Sequence, residues 1–313
     1  MNISICITVL DEEGTIAPLL DSLLNQSKKA KQIIIVDAGS SDKTVEIIRH
    51  YQQKEGRVKL LVEPCNRGRG RNLAIEIAKG DIIAMTDAGC IADKNWLKKL
   101  TAPFATGRVD VSAGFYKMTA NNSFQKAEEV YLGITPNNFG YDFLPSTRSV
   151  AFTKKIWEQI GGFPEDTGGV AEDTVFNYKL IKSSAKLSRV KDATVEWGMP
   201  DNLKDFFWKI FGYAKGDVKS KIWVFPGKGV MSHNIKALLV LIRYVLVLVF
   251  LILTLKFQLP LAYLGILFLI YLIWAFRKIY LAFGDWKTAL WGPVLQITSD
   301  FGVMGGFLKG LTG

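Results

Sequence analysis

Histidine and cysteine are scarce in this chain of 313 residues. No internal repeat or low-complexity segment is evident either. The two histidines, His50 and His233, lie far apart in sequence, which excludes a metal site built on clustered histidines. The three cysteines, Cys6, Cys65 and Cys90, form no closely spaced pair. An odd number of scattered cysteines is typical of a reducing compartment and argues against a disulfide-stabilised domain.

A secretory leader is also lacking at the start of the chain. The first residues, MNISICITVLDEEGT, show no basic region and no apolar run long enough for a signal peptide. We therefore expect the amino-terminal domain to stay in the compartment where it is made.

Acidic residues are fewer than basic ones, with 29 aspartates and glutamates against 39 lysines and arginines, and the formal net charge is +10. The excess is concentrated between Lys204 and Arg243, where eight basic residues accompany two acidic ones, Asp205 and Asp217. Because this cluster adjoins a long apolar run, it can meet anionic lipid headgroups. The charge distribution therefore favours a membrane, and not nucleic acid, as the partner.

Two long apolar runs follow the basic cluster. Residues 237–255 contain one charge, Arg243, and residues 257–276 contain none. Each run approaches the roughly 20 apolar residues that a helix needs to cross a bilayer core, so we predict two spans joined by a tight turn. A third stretch, residues 289–311, carries Asp300 and several glycines. It fits either a third span or an in-plane or packed helix.

The basic residues beside these runs predict their orientation. Two lysines precede the first run and three basic residues follow the second, whereas the turn between them holds only Lys256. By the positive-inside rule both flanks are cytoplasmic, which predicts a multi-pass membrane domain over residues 237–313 and a cytoplasmic amino-terminal domain. Residues 201–236 place aromatic side chains among lysines, as in an interfacial helix or an ordinary amphipathic helix packed on the preceding domain.

Residues 1–200 are typical of an α/β domain. Short β-branched runs, such as ISICITV at 3–9 and QIIIV at 32–36, alternate with helical stretches. This pattern predicts a mostly parallel, Rossmann-like sheet with helices on both faces. Two of the runs lead into an aspartate, Asp37 and Asp87. Carboxylates at the carboxyl ends of parallel strands lie where open α/β sheets bind ligands, so we expect a nucleotide pocket there.

Five sequence blocks resemble, in this order, the successive motifs of the family-two glycosyltransferases, which have the GT-A fold. The blocks are ITVLDEEGTIAPLLDSLLNQ, QIIIVDAGSSDKTVEII, GRGRNLAIEIAKGDIIAMTDAGCIADKNWL, RSVAFTKKIWEQIGGFPE and AEDTVFNYKL, and they cover nearly all of residues 2–185. The resemblance implies a nucleotide-sugar donor, a divalent metal ion, inversion at the anomeric carbon and a single carboxylate base.

The donor side of the resemblance involves four residues. Asp37 is expected to bind the base, although DAGSSD is also a good turn sequence. Glu12 is expected to lie beside the base or the ribose. Arg71, near a helix start, is expected to contact phosphate or base, or else to be a solvated surface arginine. Asp87 is the expected ligand of Mg²⁺ or Mn²⁺. The family usually has Asp-x-Asp here, and this chain has Gly89 in the second place. Either the diphosphate, water and a remote ligand complete the metal site, or metal dependence is weakened.

The acceptor side involves an acidic pair and two further residues. Asp173 is expected to be the catalytic base, with Glu172 supporting it or binding the acceptor. Acids at a helix start are also favourable in any protein. Arg148 and Gly162 are expected to bind the acceptor. No Gln-x-x-Arg-Trp motif follows the acidic pair, which disfavours a processive polymerase.

These features together predict an inverting glycosyltransferase that moves a single sugar to a membrane-associated, lipid-linked acceptor. One alternative is a polyprenyl-phosphate glycosyltransferase that makes a lipid-linked monosaccharide. In that case little base catalysis is needed, because the acceptor phosphate is already ionised. A second alternative, motivated by Gly89, is a catalytically weak membrane scaffold that retains the fold.

Overall fold

A computed structural model describes residues 1–133, 139–140, 143–166, 171–223 and 232–312. Residues 224–231 of the predicted interfacial segment therefore lie outside the described residues. The chain divides into two compact units. The first unit comprises Met1–Met118 and Asn138–Gly198, and the second comprises Thr119–Asn137 and Met199–Gly313.

The described strands form one sheet. Their order across it is β3-β2-β1-β4-β7-β6-β8-β5. In chain order they are β1 Ile3–Val9, β2 Gln32–Asp37, β3 Val58–Val62, β4 Ile82–Met85, β5 Cys90–Ala92, β6 Val111–Thr119, β7 Val150–Thr153 and β8 Leu187–Gly198.

Helices connect these strands and make up most of the second unit. A short 3₁₀ helix, Ala102–Thr106, follows the fourth α-helix. The α-helices are α1 Ile16–Leu24, α2 Thr44–Lys54, α3 Arg67–Glu76, α4 Trp96–Thr101, α5 Ser123–Leu132, α6 Lys154–Gln159, α7 Glu172–Lys182, α8 Leu203–Lys219, α9 His233–Lys256, α10 Ala262–Phe283, α11 Trp286–Ala289 and α12 Gly292–Thr312.

The sheet has a parallel half and an antiparallel half. β1 pairs in parallel with both β2 and β4, and β2 pairs in parallel with β3. β7 pairs antiparallel with β4 and β6, and β5 pairs antiparallel with β8. The parallel strands β1, β2 and β4 are rich in isoleucine and almost wholly buried, as strands covered by helices on both faces must be, whereas the edge strand β3 is largely part-exposed. The predicted α/β class is confirmed, and its parallel part is limited to four of the described strands.

The chain reverses direction across the sheet at β1. It first proceeds to β2 and β3 on one side of β1, and then returns to place β4 on the other side. In open α/β sheets the crevice outside the carboxyl ends of two such neighbouring strands is the usual ligand site. The segments that leave β1 and β4 include Glu12 and Asp87, so both predicted residues lie at this edge of the sheet.

Helices α9 and α10 of the second unit are long and apolar enough to cross a bilayer. In the most apolar 18-residue segment of each helix, only 6% of α9 and 11% of α10 is buried, so they do not resemble the core helices of a soluble bundle. Helix α10 begins at Ala262, later than the predicted residue 257. The chain between the two helices contains Gln258, whose φ is +53°, and Pro260, which has no backbone N–H to donate to a helix hydrogen bond.

Helix α12 packs along α8. Gly302, Gly306 and Gly310 recur every four residues on the contacting face. A Cβ atom at Gly306 would lie 2.2 Å from the carbonyl oxygen of Phe211 on α8, so only glycine permits this approach. Small residues at this spacing are typical of closely packed helices in membrane proteins. The stretch predicted over residues 289–311 thus contains a helix, α12, that packs on α8.

Candidate active site

The loop after β2 is closed by Asp37. The side chain of Asp37 is fully buried, and its Oδ1 accepts hydrogen bonds from the backbone N–H groups of Gly39 at 3.0 Å and Ser40 at 2.9 Å. Its Oδ2 accepts from the Ser40 hydroxyl at 2.5 Å. The turn-forming role considered from the sequence is therefore present, and it places this carboxylate at the carboxyl end of β2.

The loop after β1 is linked to the loop after β2. The backbone N–H of Glu12 donates to Thr44 Oγ1 at 2.7 Å, and Asp11 Oδ1 accepts from the backbone N–H of Ser41 at 2.7 Å. The carboxylate of Glu12 accepts a hydrogen bond from the Thr15 hydroxyl. These hydrogen bonds interlock the two loops at the edge of the sheet, and Glu12 is half-buried there.

Arg71 joins three elements of the first unit at one buried point. Its side chain is 4% exposed. Its Nη1 donates to Glu172 Oε1 on α7 at 2.5 Å, and its Nη2 donates to Asp87 Oδ1 after β4 at 3.1 Å and to Thr147 Oγ1 at 3.0 Å. The hydroxyl of Thr147 in turn donates to Asp87 Oδ2 at 3.1 Å. Arg71 is thus not a solvated surface arginine, because it holds two acidic motifs together.

The cluster is strongly polarised. Burial disfavours the charge of Arg71, yet Asp87, Glu172 and Asp173 raise the pKa of its guanidinium above the ordinary value. Burial would raise the pKa of the Asp87 carboxyl, but Arg71, Arg148 and other nearby cations hold this pKa below its usual range. Both groups are therefore charged at neutral pH, as a site for a charged ligand requires.

Glu172 and Asp173 face different surroundings although they are adjacent at the start of α7. Glu172 Oε1 accepts from Arg71 and lies 3.8 Å from Nη1 of Arg67, whereas Glu172 Oε2 is buried with no hydrogen-bond partner among the described residues. Within the part of the chain that the structure describes, Asp173 Oδ1 accepts hydrogen bonds from the following residue, Thr174, alone. Glu172 is consequently tied into the cluster, whereas Oδ2 of Asp173 accepts no hydrogen bond from the described residues.

Arg148 is held between aromatic rings near the cluster. Its guanidinium carbon lies 4.0 Å from the ring centroid of Trp197 and 5.0 Å from that of Tyr116. Stacking of this kind fixes the plane of a guanidinium without neutralising it. Arg148 directly follows Thr147. The same loop therefore supplies a hydrogen-bond donor to Asp87 and a cation that lowers the pKa of the Asp87 carboxyl.

Gly162 shapes a turn beside the cluster. Its φ is +62°, and a Cβ atom there would lie 2.8 Å from Asn72 Oδ1. Asn72 follows Arg71 and binds the turn, because its Oδ1 accepts from the backbone N–H of Phe163 and its Nδ2 donates to the carbonyl of Phe163, each at 2.9 Å. The structure therefore explains this glycine through packing against Asn72.

The neighbourhood of Asp87 does not fit a divalent cation by itself. Both carboxylate oxygens of Asp87 already accept hydrogen bonds, and a guanidinium lies 3.1 Å away. Gly89, with φ +77°, has open space where a second carboxylate would begin. The described ranges of the chain contain no group of three His, Cys, Asp or Glu side chains able to hold a metal ion. A single carboxylate paired with arginine is a weak donor set for a hard cation.

The sequence interpretation missed two contributors. Thr147 bridges Asp87 and Arg71, and Trp197 stacks on Arg148. Thr147 had no sequence signal beyond its place beside Arg148. Trp197 lies at the end of a β-rich stretch, where an aromatic residue is ordinarily part of the core.

The family model described as Glycosyl transferase family 2 matches residues 4–152. Among curated proteins, the chain is 29% identical over 172 residues to the glycosyltransferase AglE of Haloferax volcanii, covering 52% of this chain and 56% of that protein. It is 37% identical over 99 residues to an uncharacterized glycosyltransferase of Haemophilus influenzae, covering 31% of this chain and 40% of that protein. The chain thus matches about half, or less, of the length of these relatives.

Two solved structures share the fold. The mannosyltransferase PcManGT from Pyrobaculum calidifontis, in complex with GDP-Man and Mn²⁺, is 18% identical with a TM-score of 0.58, and the match covers 99% of this chain and 87% of that one. Residues 1–349 of TarS from S. aureus, in complex with UDP, are 18% identical with a TM-score of 0.51, covering 100% and 92%. At such low identity the likeness supports the predicted GT-A fold.

Proposed function

Because the chain belongs to glycosyl transferase family 2, we propose that it transfers a single sugar from a nucleotide-sugar donor to a membrane-associated acceptor, with inversion at the anomeric carbon. The observation that carries this proposal is the buried contact of Arg71 with both Asp87 and Glu172. Through it, the aspartate at the end of β4 and the acidic pair of α7 form one site in the first unit. Transfer requires the donor diphosphate and the acceptor group to be held close together in one site.

The donor is proposed to lie across the carboxyl ends of β1, β2 and β4. Asp37 and Glu12 on the interlocked loops are suited to the base and ribose, since both carboxylates lie at the sheet edge where α/β folds bind nucleotides. The diphosphate would lie near Asp87, where the cations Arg67 and Arg148 can offset its charge. GDP-Man and UDP are bound by the two structural relatives, which supports a nucleotide donor here.

Asp173 is proposed to act as the base. In the transfer step the acceptor oxygen forms a bond to the anomeric carbon, the bond from that carbon to the diphosphate oxygen breaks, and the acceptor proton moves to Asp173. An inverting transfer needs one such carboxylate on the face opposite the leaving group. Asp173 suits this role because, among the described residues, its Oδ2 accepts no hydrogen bond, whereas Glu172 is engaged by Arg71. Glu172 then acts through Arg71 as a positioning residue.

The leaving diphosphate is proposed to depend on arginine more than on a metal ion. Transition-state charge can be stabilised by preorganised cations that need no reorganisation during reaction. Arg71 and the stacked Arg148 are fixed by their neighbours, and Asp87 offers only one carboxylate. Mg²⁺ or Mn²⁺, where bound, would use Asp87 and neutralise the same diphosphate.

The acceptor is proposed to be lipid-linked, with the first unit in the cytoplasm. Helices α9 and α10 expose apolar side chains along most of their length, a surface that suits a bilayer. Helix α8 exposes Trp208 and Tyr213 among its lysines, as interfacial helices do. An enzyme anchored in this way meets acceptors that are confined to the membrane surface.

A donor panel tests the proposal. The detergent-solubilised chain is titrated with UDP-, GDP- and dTDP-sugars, with and without Mn²⁺, and binding is followed by thermal shift. We expect selective stabilisation by one donor, reduced in Asp87→Asn and unchanged in Asp192→Asn, a matched change at an exposed residue of β8. Absence of stabilisation by every donor, with a cooperative melting transition intact, would contradict the transferase proposal and favour the scaffold alternative.

A further inference from the structure

A buried carboxylate links the three long carboxyl-terminal helices. Asp300 on α12 is 2% exposed. Its Oδ2 accepts hydrogen bonds from Arg243 Nη2 and the Tyr244 hydroxyl, both on α9, and from the Tyr271 hydroxyl on α10. Its Oδ1 accepts from Gln296 Nε2 at 3.0 Å, one turn earlier on α12. All four hydrogen bonds converge on one carboxylate, which is thus the shared acceptor of three helices.

The cluster extends to a second cation and is not charge-balanced. Lys278 Nζ on α10 donates to Gln296 Oε1 at 3.3 Å and lies 3.9 Å from the ring centroid of Tyr131 on α5. Arg243 and Lys278 together carry two positive charges, and Asp300 carries one negative charge. Among the described residues Lys278 contacts only an amide and aromatic rings. The cluster therefore has one positive charge in excess.

Arg243 brings one of the two positive charges of the cluster to the helix surface. Its side chain is 38% exposed although it lies within the apolar run of α9. Apart from its bond to Asp300 and its contacts with the rings of Tyr244 and Tyr271, the described chain offers it no polar partner. The remaining guanidinium N–H groups can bind a further anion in the planar fork geometry that suits phosphate.

The depth of Arg243 fits a lipid phosphate. Arg243 comes six residues after Ala237, the start of the apolar run, which corresponds to about 9 Å along a helix. An arginine at that depth can extend toward the headgroup region. Charged residues are costly among lipid chains, so membrane proteins pair them or use them to bind ligands. Arg243 shares its carboxylate partner, Asp300, with three other hydrogen-bond donors.

We propose that Arg243, with Asp300 orienting it and Lys278 adding to the positive potential, binds the phosphate group of an anionic lipid. A phospholipid phosphodiester and the phosphate of a polyprenyl phosphate share this chemistry. The inference rests on the membrane anchoring proposed above and is independent of the transfer reaction. It assigns the second unit a lipid-binding role in addition to anchoring.

Lipid retention measured by native mass spectrometry tests this site. The full chain in neutral detergent is titrated in separate arms with phosphatidylcholine, phosphatidylglycerol and a polyprenyl phosphate. The test variant is Arg243→Gln combined with Asp300→Asn, so that neither member of this ion pair is left without the other. Lys256→Gln is the matched control, because it removes a cation from the other end of the same helix. Flotation with phosphatidylcholine vesicles first establishes that each variant still associates with membranes.

The wild-type chain should retain one anionic lipid at least about tenfold more tightly than phosphatidylcholine, as charge-assisted hydrogen bonds imply. The double variant should lose this preference, and Lys256→Gln should keep it.

Stronger retention of phosphatidylglycerol would identify bulk lipid as the source, and stronger retention of polyprenyl phosphate would identify an acceptor-like lipid. Asp300→Asn alone keeps Arg243 and should retain the anionic lipid, which covers the case of a double variant that does not fold. Equal retention of anionic and neutral lipid by the wild-type chain would overturn the proposal, as would full anionic preference in the double variant.

Discussion

Arg71 Nη1 lies 2.5 Å from Glu172 Oε1, although 101 residues separate the two in the chain. Both side chains are almost completely buried. Breaking a buried ion pair from one side leaves a charge without its partner, which costs far more than the pair itself contributes. The pair is therefore a sensitive point for both the fold and the chemistry of the first unit.

Arg71→Lys should impair stability and transfer together. A lysine ammonium cannot make the fork of contacts to Asp87, Glu172 and Thr147 at once. We expect a loss of about 3 kcal/mol in stability and a fall of about 100-fold in the transfer rate. The control is Arg69→Lys, on the same helix but 37% exposed. Thermal unfolding and initial rates would contradict the prediction if the two variants behaved alike.

Asp173→Asn should abolish transfer to a hydroxyl acceptor while the protein stays folded. Among the described residues its carboxylate contacts only Thr174, so an amide of the same shape disturbs little. Loss of a general base ordinarily costs about 100-fold to 10,000-fold in rate. Glu172→Gln should instead lower the melting temperature, since Glu172 pairs with Arg71.

The acceptor class follows from the same Asp173 variant. Rates are compared with a hydroxyl acceptor and with a polyprenyl phosphate. Activity of Asp173→Asn retained only toward the phosphate would support the alternative that the acceptor is an ionised phosphate. Full activity with both acceptors would show that Asp173 is not the base.

Removal of divalent cations should reduce the transfer rate by less than about tenfold. Asp87 is paired with Arg71, and open space surrounds Gly89 where a second ligand would stand. Fixed arginines can supply part of the electrostatic stabilisation that a metal would give. Initial rates are measured in EDTA and after adding back Mn²⁺. A loss beyond about 100-fold that Mn²⁺ restores would show that a metal is essential despite the missing aspartate.

Glu128→Gln should stabilise the second unit at alkaline pH. The side chain of Glu128 is buried, neither of its carboxylate oxygens has a hydrogen-bond partner among the described residues, and burial raises its pKa to about 8. The folded state thus holds this proton more tightly than the unfolded state, so the stability of the native chain falls as pH rises from about 4.5 to 8.

The glutamine variant has no such proton to lose. We expect the variant and the native chain to melt alike at pH 5, and the variant to be more stable by on the order of 2 kcal/mol at pH 8. Melting temperatures from pH 5 to 9 test this, with Glu46→Gln, at an exposed site of α2, as control. A difference that did not grow with pH would contradict the raised pKa.

Gly306→Ala should weaken the packing of α12 on α8. The added methyl group would lie 2.2 Å from the carbonyl oxygen of Phe211, so the backbones must move apart. We expect a loss of about 1 to 3 kcal/mol, as for other overpacked sites. Gly265→Ala on α10 is the matched control, because nothing lies within 4 Å of its added methyl group. Equal melting temperatures for the two variants would show that the close approach is not required.

Local patterns in the sequence were sufficient to predict the parallel half of the sheet and the long apolar helices, but not the antiparallel half of the sheet. Alternating apolar runs and helices predict the parallel strands, since the burial of a strand or helix depends on the period of its own residues. The two long apolar helices α9 and α10 follow from length and composition alone. Asp87 was placed correctly after its strand for the same reason. The start of α10 was missed because the turn around Gln258 and Pro260 continues an apolar run.

The partners of buried charges were decided only by the tertiary structure. The sequence shows where these charged residues stand, but no local pattern predicts which of them pair. In the structure Arg71 pairs with Glu172, and Arg243 pairs with Asp300. Which charges meet depends on how distant segments fold back on one another, since a buried ion is stable only beside an opposite charge or enough hydrogen-bonding groups. The sequence by itself thus determined the parallel strands, the long apolar helices and the positions of the polar residues. Packing determined which of these residues act together.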